Sequence, residues 1–364
     1  MQNNNFLKQK WPYLLLLIAM LLFPLVVSSR YYIQIMITAS IWAMATLSLN
    51  LILGYTGQAS LAHAGFFGIG AYTVALTTTK IGLSFWLALP LAGAIAALVG
   101  LFIGILTLRT QGHYFAISTL CFGVIVYIVA GSWIELTKGA TGLLGIPKPT
   151  LMALPFIGKL SFANQTAQYY LVLFFLLLFL FIMYRLVHSL QGLSFMAIRN
   201  NESLAEAVGI NTFNNKLLSF IIANFLVGVA GGIYAVLMGG VSPTVASFNL
   251  TFFWLAYLII GGVATLAGPI VGAFLVTFLM EYMYSMGEYR LVIFGLVLIV
   301  AITFFPRGLV GLALTLRQKL RDNKGHKGVG LNLILRQKLN DDNGQRGEGA
   351  GDNATESRKI NETV

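Results

Sequence analysis

The sequence predicts an all-α fold: a polytopic membrane helix bundle of about ten segments, two of them Gly-rich, followed by a disordered polar C-terminal tail. Three observations lead there. Hydrophobic residues make up 57% of the 364 and charged residues only 10%, and the mean hydropathy is +0.81; no soluble globular chain requires such a balance. Apolar runs almost free of charge recur, each approaching the roughly 20 residues that carry a helix across a hydrocarbon core. Basic residues gather in alternate connections, as they do when one side of a membrane retains positive charge.

The first segment, Tyr13 to Val27, follows Lys8 and Lys10 and has the outline of a signal peptide. It ends in Val26, Val27, Ser28, Ser29 and Arg30 without an A-x-A site, so it reads as an uncleaved anchor. Ile33 to Leu53 is the second, and Leu61 to Thr79 the first Gly-rich segment. Phe85 to Leu106 and Tyr114 to Gly131 follow, the latter holding Cys121, whose expected role is packing. A long connection, residues 132–168, separates these from Tyr169 to Tyr184, and a polar connection, residues 189–214, leads into Leu217 to Met238. Phe252 to Ala267, the second Gly-rich segment Pro269 to Met286, and Leu291 to Phe305 complete the bundle. The two Gly-rich segments are expected to be broken or re-entrant, since irregular backbone is tolerated at that depth only against protein or a cavity.

With ten crossings Lys8, Lys10, Arg109, Arg185, Arg199, Lys216, Arg307, Arg317, Lys319 and Arg321 fall on one side, and Arg30, Lys80, Lys138, Lys148, Lys159 and Arg290 on the other. Both termini are therefore expected in the cytoplasm. The net charge of +11 belongs to this asymmetry rather than to nucleic acid, because no soluble domain interleaves basic and aromatic residues. One cysteine excludes an internal disulfide. Four histidines without H-E-x-x-H argue against metal catalysis, and no metal or cofactor is expected. Gly65, Gly68 and Gly70 lie inside a membrane segment, not in the strand-turn-helix setting of a dinucleotide fingerprint. Gly100 with Gly104, Gly228 with Gly232, and Gly268 with Gly272 are spaced to let helices pack closely. A P-loop is missing from the sequence.

A membrane protein without a catalytic centre is expected to move something. Ion-coupled carriers keep ionisable groups at mid-membrane, yet only Glu281, near a segment end, and His63 qualify. The plainer expectations are a carboxylate reaching headgroup water and a histidine bonded to a backbone carbonyl, with energy supplied from outside the chain. The polar stretch 195–211 then acquires a use. Either Asn201 or Ser203 caps a short helix, with Ser203 and Glu206 in S-x-x-E spacing and Gly209 as its left-handed stop. Leu204, Ala207 and Val208 share one face of that helix, and Glu202 and Glu206 the other. Such a knob can dock on a soluble partner.

Residues 192–199, GLSFMAIR, with 205–210, AEAVGI, resemble the coupling loop of ABC-importer permeases, specifically the LivM-type branched-chain amino acid permeases. Residues 49–58, LNLILGYTGQ, and 60–72, SLAHAGFFGIGAY, are similar to that family's early signature. Residues 108–120, LRTQGHYFAISTL, and 141–149, TGLLGIPKP, follow in family order, then Gly261-Gly262, 267–273, AGPIVGA, and 305–309, FPRGL. The likeness spans residues 35–312. It implies a permease domain over 1–312 in the bacterial inner membrane, a second related permease, two cytoplasmic ATP-binding subunits and an external solute-binding protein. It places the ATPase contact at Arg199, Glu202, Glu206, Ala207 and Gly209, and a surface for the binding protein on 132–168. Gly54, Gly57, Gln58, Ser60, His63, Gly65, Gly261, Gly262 and Gly268 would line or gate the path, as discontinuous helices do in other transporters.

The tail, residues 313–364, departs from the family. Leu314 to Gly325 nearly repeats as Leu333 to Gly344, and Asp341 to Glu362 is acidic and rich in Gly and Asn. A permease for urea or short amides, an autonomous channel or carrier, and a membrane sensor or scaffold are the alternatives. The Gly-Ile-Pro-Lys-Pro block, 145–149, leans toward amino acids.

Overall fold

A computed structural model describes residues 20–24, 27, 29–110, 112–149, 162, 164–287, 289–304, 308–312 and 315. Its helices are α1 (Arg30–Leu49), α2 (His63–Lys80), α3 (Phe85–Thr107), α4 (His113–Ser132), α5 (Gln165–Val187), α6 (Leu190–Asn200), α7 (Glu202–Ala207), α8 (Thr212–Met238), α9 (Phe248–Gly261), α10 (Gly268–Tyr282) and α11 (Tyr289–Phe304). The expected all-α class is what the structure has. Two-residue strands, β1 (Leu143–Leu144) and β2 (Gly240–Val241), pair antiparallel and tie the connection after α4 to the end of α8.

Seven helices among the described residues are long and apolar enough to cross a membrane: Arg30–Tyr55, Phe85–Thr107, His113–Ser132, Gln165–Val187, Thr212–Met238, Gly268–Met286 and Tyr289–Leu312. They account for seven of the ten expected segments. Of the other three, Tyr13 to Val27 lies mostly outside the described residues, although 20–24 are helical and Tyr169 Oη donates to the Met20 carbonyl at 2.6 Å. Leu61 to Thr79 is the helix α2, which starts only at His63. Phe252 to Ala267 becomes the fourteen-residue α9, which stops at Gly261. The irregularity thus differs from the expectation. Pro269 to Met286 is continuous, as α-helix and then a 3₁₀ turn, and the breaks precede the Gly-rich helices at 56–62 and 262–267. The reason at the second break is backbone shape, since Gly262 (φ 126°) and Ala264 (φ 59°) cannot continue a right-handed helix.

The chain divides into two units, Met1–Gly311 and Leu312–Val364. Apart from Leu312 and Thr315 the second unit, with the near repeat expected there, lies outside the described residues, as do 150–161 and 163 of the connection 132–168.

Lipid tails are as apolar as leucine, so helices in a membrane associate through close packing rather than through exclusion of water. The glycines show how. α8 lies between α2 and α3: a Cβ on Gly228 would stand 2.5 Å from Ala96 Cβ, and one on Gly232 2.6 Å from Val74 Cγ2. Gly231, which the small-residue spacing had not singled out, meets the Phe67 backbone. On α3, Gly93, Gly100 and Gly104 face Phe225, Asn224 and Leu217 of α8. Threonines Thr73 and Thr78 satisfy their hydroxyls on the Ile69 and Val74 carbonyls, each at 2.7 Å, and so ask nothing of neighbouring helices. Leu98, Phe102 and Ile117 point outward from α3 and α4. Cys121 is exposed on α4 rather than packed in the bundle, so the expectation of a packing role fails.

Candidate coupling surface and translocation path

Three capping side chains build the polar connection 189–214. Ser189 Oγ accepts from Gly192 N at 3.3 Å to open α6, Asn201 Oδ1 accepts from Leu204 N at 3.0 Å to open α7, and Asn211 Oδ1 accepts from Asn214 N at 2.9 Å to open α8. Of the two cap candidates the structure uses Asn201, because the chain is already helical at Glu202. Gly209, at φ +86°, closes the turn, and Ile210 N bonds the Ala205 carbonyl at 3.0 Å.

The two faces of α7 are the expected ones, but their directions come from the fold. Glu202 forms an ion pair with Lys216, and Glu206 accepts from Thr212 Oγ1 at 2.6 Å. Both carboxylates are thereby turned onto the start of α8. Ala205 is buried beneath, whereas Ala207, Leu204 (62% exposed) and Val208 (70% exposed) face away from the protein. Leu190 and Leu193 are likewise exposed on α6. The result is an apolar knob braced from behind by polar contacts.

At the C-terminal end of α6, next to α7, Arg199 lies over Gly57. A Cβ on Gly57 would approach Arg199 Cγ to 3.2 Å and Cα to 3.4 Å, and the φ of +79° there suits glycine. The structure therefore brings one expected coupling residue into contact with one expected path residue. Gly57 stands just beyond a π-helical turn, Asn50–Tyr55, that ends α1; such turns recur at functional sites.

The first break is joined to the second through Asn50, a residue the sequence reading passed over. Fully buried, it accepts from Ala264 N at 2.9 Å through Oδ1 and donates to the Thr265 carbonyl at 2.8 Å through Nδ2. Ala264 is thus held in a left-handed conformation that costs a non-glycine residue about 1–2 kcal/mol. Thr265 Oγ1 in turn accepts from Gly268 N at 3.0 Å and donates to the Gly262 carbonyl at 2.8 Å, capping α10. Gly54 sits against the Asn50 side chain and Ala264, and Gly261 against the Gly268 backbone. Gly54, Gly261, Gly262 and Gly268 therefore form one locus.

Gln58 and Ser60 lie in the first break, and His63 and Gly65 open α2 after it. His63 is wholly buried and contacts Ser48 Oγ through Nε2 at 2.8 Å, beside the Ala45 backbone carbonyl with which it also bonds, as expected of a backbone partner. Trp254 stands edge-on to it, with ring centroids 6.0 Å apart. The start of α2 is capped from elsewhere: Leu61 N donates to Thr119 Oγ1 at 3.1 Å and Ala64 N to Thr251 Oγ1 at 2.9 Å. Gly65 faces the Cα of Gly123 on α4, 3.3 Å from where its own Cβ would be. At the far end of the bundle Glu281 accepts from Tyr31 Oη, so that carboxylate has a protein partner. Thr119, Thr251, Trp254 and Asn50 carried one legible signal, polarity inside apolar runs, which is costly in a membrane and kept for a purpose.

Seven helices long and apolar enough to cross a membrane define a multi-pass membrane protein. Residues 31–302 match the family described as branched-chain amino acid transport system, permease component, and the chain belongs to that family. It is 34% identical to the high-affinity branched-chain amino acid transport system permease protein LivM of Escherichia coli (strain K12), across 90% of this chain and 80% of that one. The LivM of Salmonella typhimurium is also 34% identical, across 85% and 76%. A probable branched-chain amino acid transport permease protein LivH of Methanocaldococcus jannaschii is 27% identical, across 74% and 89%. No solved structure matches the chain.

Proposed function

We propose that this chain is the membrane-spanning subunit of an ATP-driven importer for branched-chain amino acids in the bacterial inner membrane. It works beside a second related permease, with two ATP-binding subunits on the cytoplasmic side and an external solute-binding protein. Both termini and the pair α6–α7 face the cytoplasm, as the distribution of basic residues favours. The relatives named as permeases for these amino acids support the solute class, and a sequence without a P-loop supports an outside source of ATP hydrolysis.

The contact between Arg199 and Gly57 carries the mechanism. Force received at Leu204, Ala207 and Val208 passes through α6 to the segment that follows the π turn, and that segment is shared with the path. Glu202 and Glu206 brace the knob and Gly209 shapes it; the contact surface itself is apolar.

Affinity purification of the complex in mild detergent tests this. The natural chain should bring down two nucleotide-hydrolysing subunits and a second permease. Leu204→Asp with Val208→Asp forfeits two apolar burials of about 1.5 kcal/mol each, so ATPase recovery should fall on the order of a hundredfold while membrane insertion is kept. Full ATPase recovery with that double variant would refute the docking role.

A further inference from the structure

We infer that residues 58–63 together with Trp254 form an occluded site for the carboxylate of a zwitterionic amino acid, an assignment that rests on the permease reading above. Gln58 is 8% exposed, and Ser60, His63 and Trp254 are wholly buried. Among the described residues neither end of the Gln58 amide has a hydrogen-bond partner, nor does Ser60 Oγ, His63 Nδ1 or Trp254 Nε1. Buried polar groups are ordinarily satisfied. Here three such side chains fall within six consecutive residues, and the fourth stands against His63.

The fold does not use them. Capping of α2 is done by Thr119 and Thr251 from α4 and α9, so Ser60 is not needed as a cap. Their chemistry selects the ligand. The amide nitrogen of Gln58, the hydroxyl of Ser60 and the indole N–H can donate, and the indole can do nothing else; His63 Nδ1 accepts, because Ser48 gives its proton to the Ala45 carbonyl and so takes the one on Nε2. The eighteen-residue α2 begins at His63, which brings the positive end of its dipole to this stretch. Arg199 lies over Gly57 beside it. Donors in a positive potential suit an anionic group, and in a zwitterionic amino acid that group is the carboxylate.

Uptake of radiolabelled leucine into proteoliposomes holding the assembled transporter, with saturating binding protein, tests the sign of this potential. Gln58→Glu sets like charge against the carboxylate, whereas Gln58→Lys keeps a donor. At equal amounts of assembled complex the Glu variant should transport on the order of tenfold less than the Lys variant, with Gln58→Met between them. A structural role alone would make Glu and Lys equally harmful, and that result would overturn the assignment. Should the Gln58 variants not assemble, Trp254→Phe with Ser60→Ala decides: severalfold slower uptake supports the site, and natural uptake overturns it. An assembled natural transporter that takes up no leucine would instead remove the permease reading, and the site with it.

Discussion

Asn50 presents the two ends of one amide to backbone groups more than two hundred residues away, the Ala264 N–H and the Thr265 carbonyl. Asn50→Leu keeps the volume close and leaves both backbone groups unpaired in the interior. Each costs about 1–3 kcal/mol, so the detergent-solubilised protein should melt at a clearly lower temperature and uptake should be lost. A variant with natural melting would mean that water replaces the amide. Glu202 is the contrasting case. Its pairing with Lys216 is partly exposed, with Glu202 33% accessible, and such pairs are worth about 0–1 kcal/mol. Glu202→Gln should therefore change ATPase recovery only slightly, far less than the Leu204 and Val208 replacements do; a loss as large as theirs would return the carboxylate to the contact surface. That Asn50 stands in an apolar run is visible in the sequence, but its partners are not, because nothing local relates residue 50 to residue 264.

Among the elements, α7 was the most legible. Its cap and the left-handed stop at Gly209 are decided within three or four residues, and the structure uses Asn201 and Gly209 as that chemistry suggests. The outward aim of Leu204 and Val208 was not legible, since it depends on Lys216 and Thr212 drawing the carboxylates toward α8. The joint between α6 and the π turn yields a separate expectation. Gly57→Val forces a β-branched residue into a left-handed φ and drives its side chain into Arg199. ATP-binding subunits should still be recovered with that variant, because the knob is untouched, but ATP hydrolysis should no longer drive uptake. Normal coupling in Gly57→Val would show that force travels by another route.

Over the whole molecule, orientation follows from where the ends of α8 lie. Val208 is exposed just before it and Leu144 is exposed where β1 meets β2 just after it, and the 27 residues between span about 40 Å as helix. With Cys121→Ser removing the one natural thiol, single cysteines replacing Leu144 or Val208 can be probed on intact spheroplasts with a membrane-impermeant maleimide. In cells lacking the ATP-binding subunits, Leu144→Cys should react and Val208→Cys should react only after permeabilisation. The opposite pattern would invert the membrane topology and place α7 beyond the reach of any cytoplasmic ATPase.

By itself the sequence determined that this chain is a bundle of membrane helices, roughly where each helix lies, and that a capped polar knob interrupts them. Hydropathy and capping are sums over neighbouring residues, so they survive without knowledge of the fold. Only the tertiary structure decided that the backbone breaks at 56–62 and 262–267 share Asn50, that Arg199 rests on Gly57, and that the apolar face of α7 points outward. Those facts are pairings between distant segments. In lipid, where apolar surface is indifferent to its neighbour, small-residue contacts and buried hydrogen bonds choose among such pairings, and both exist only once the helices have met.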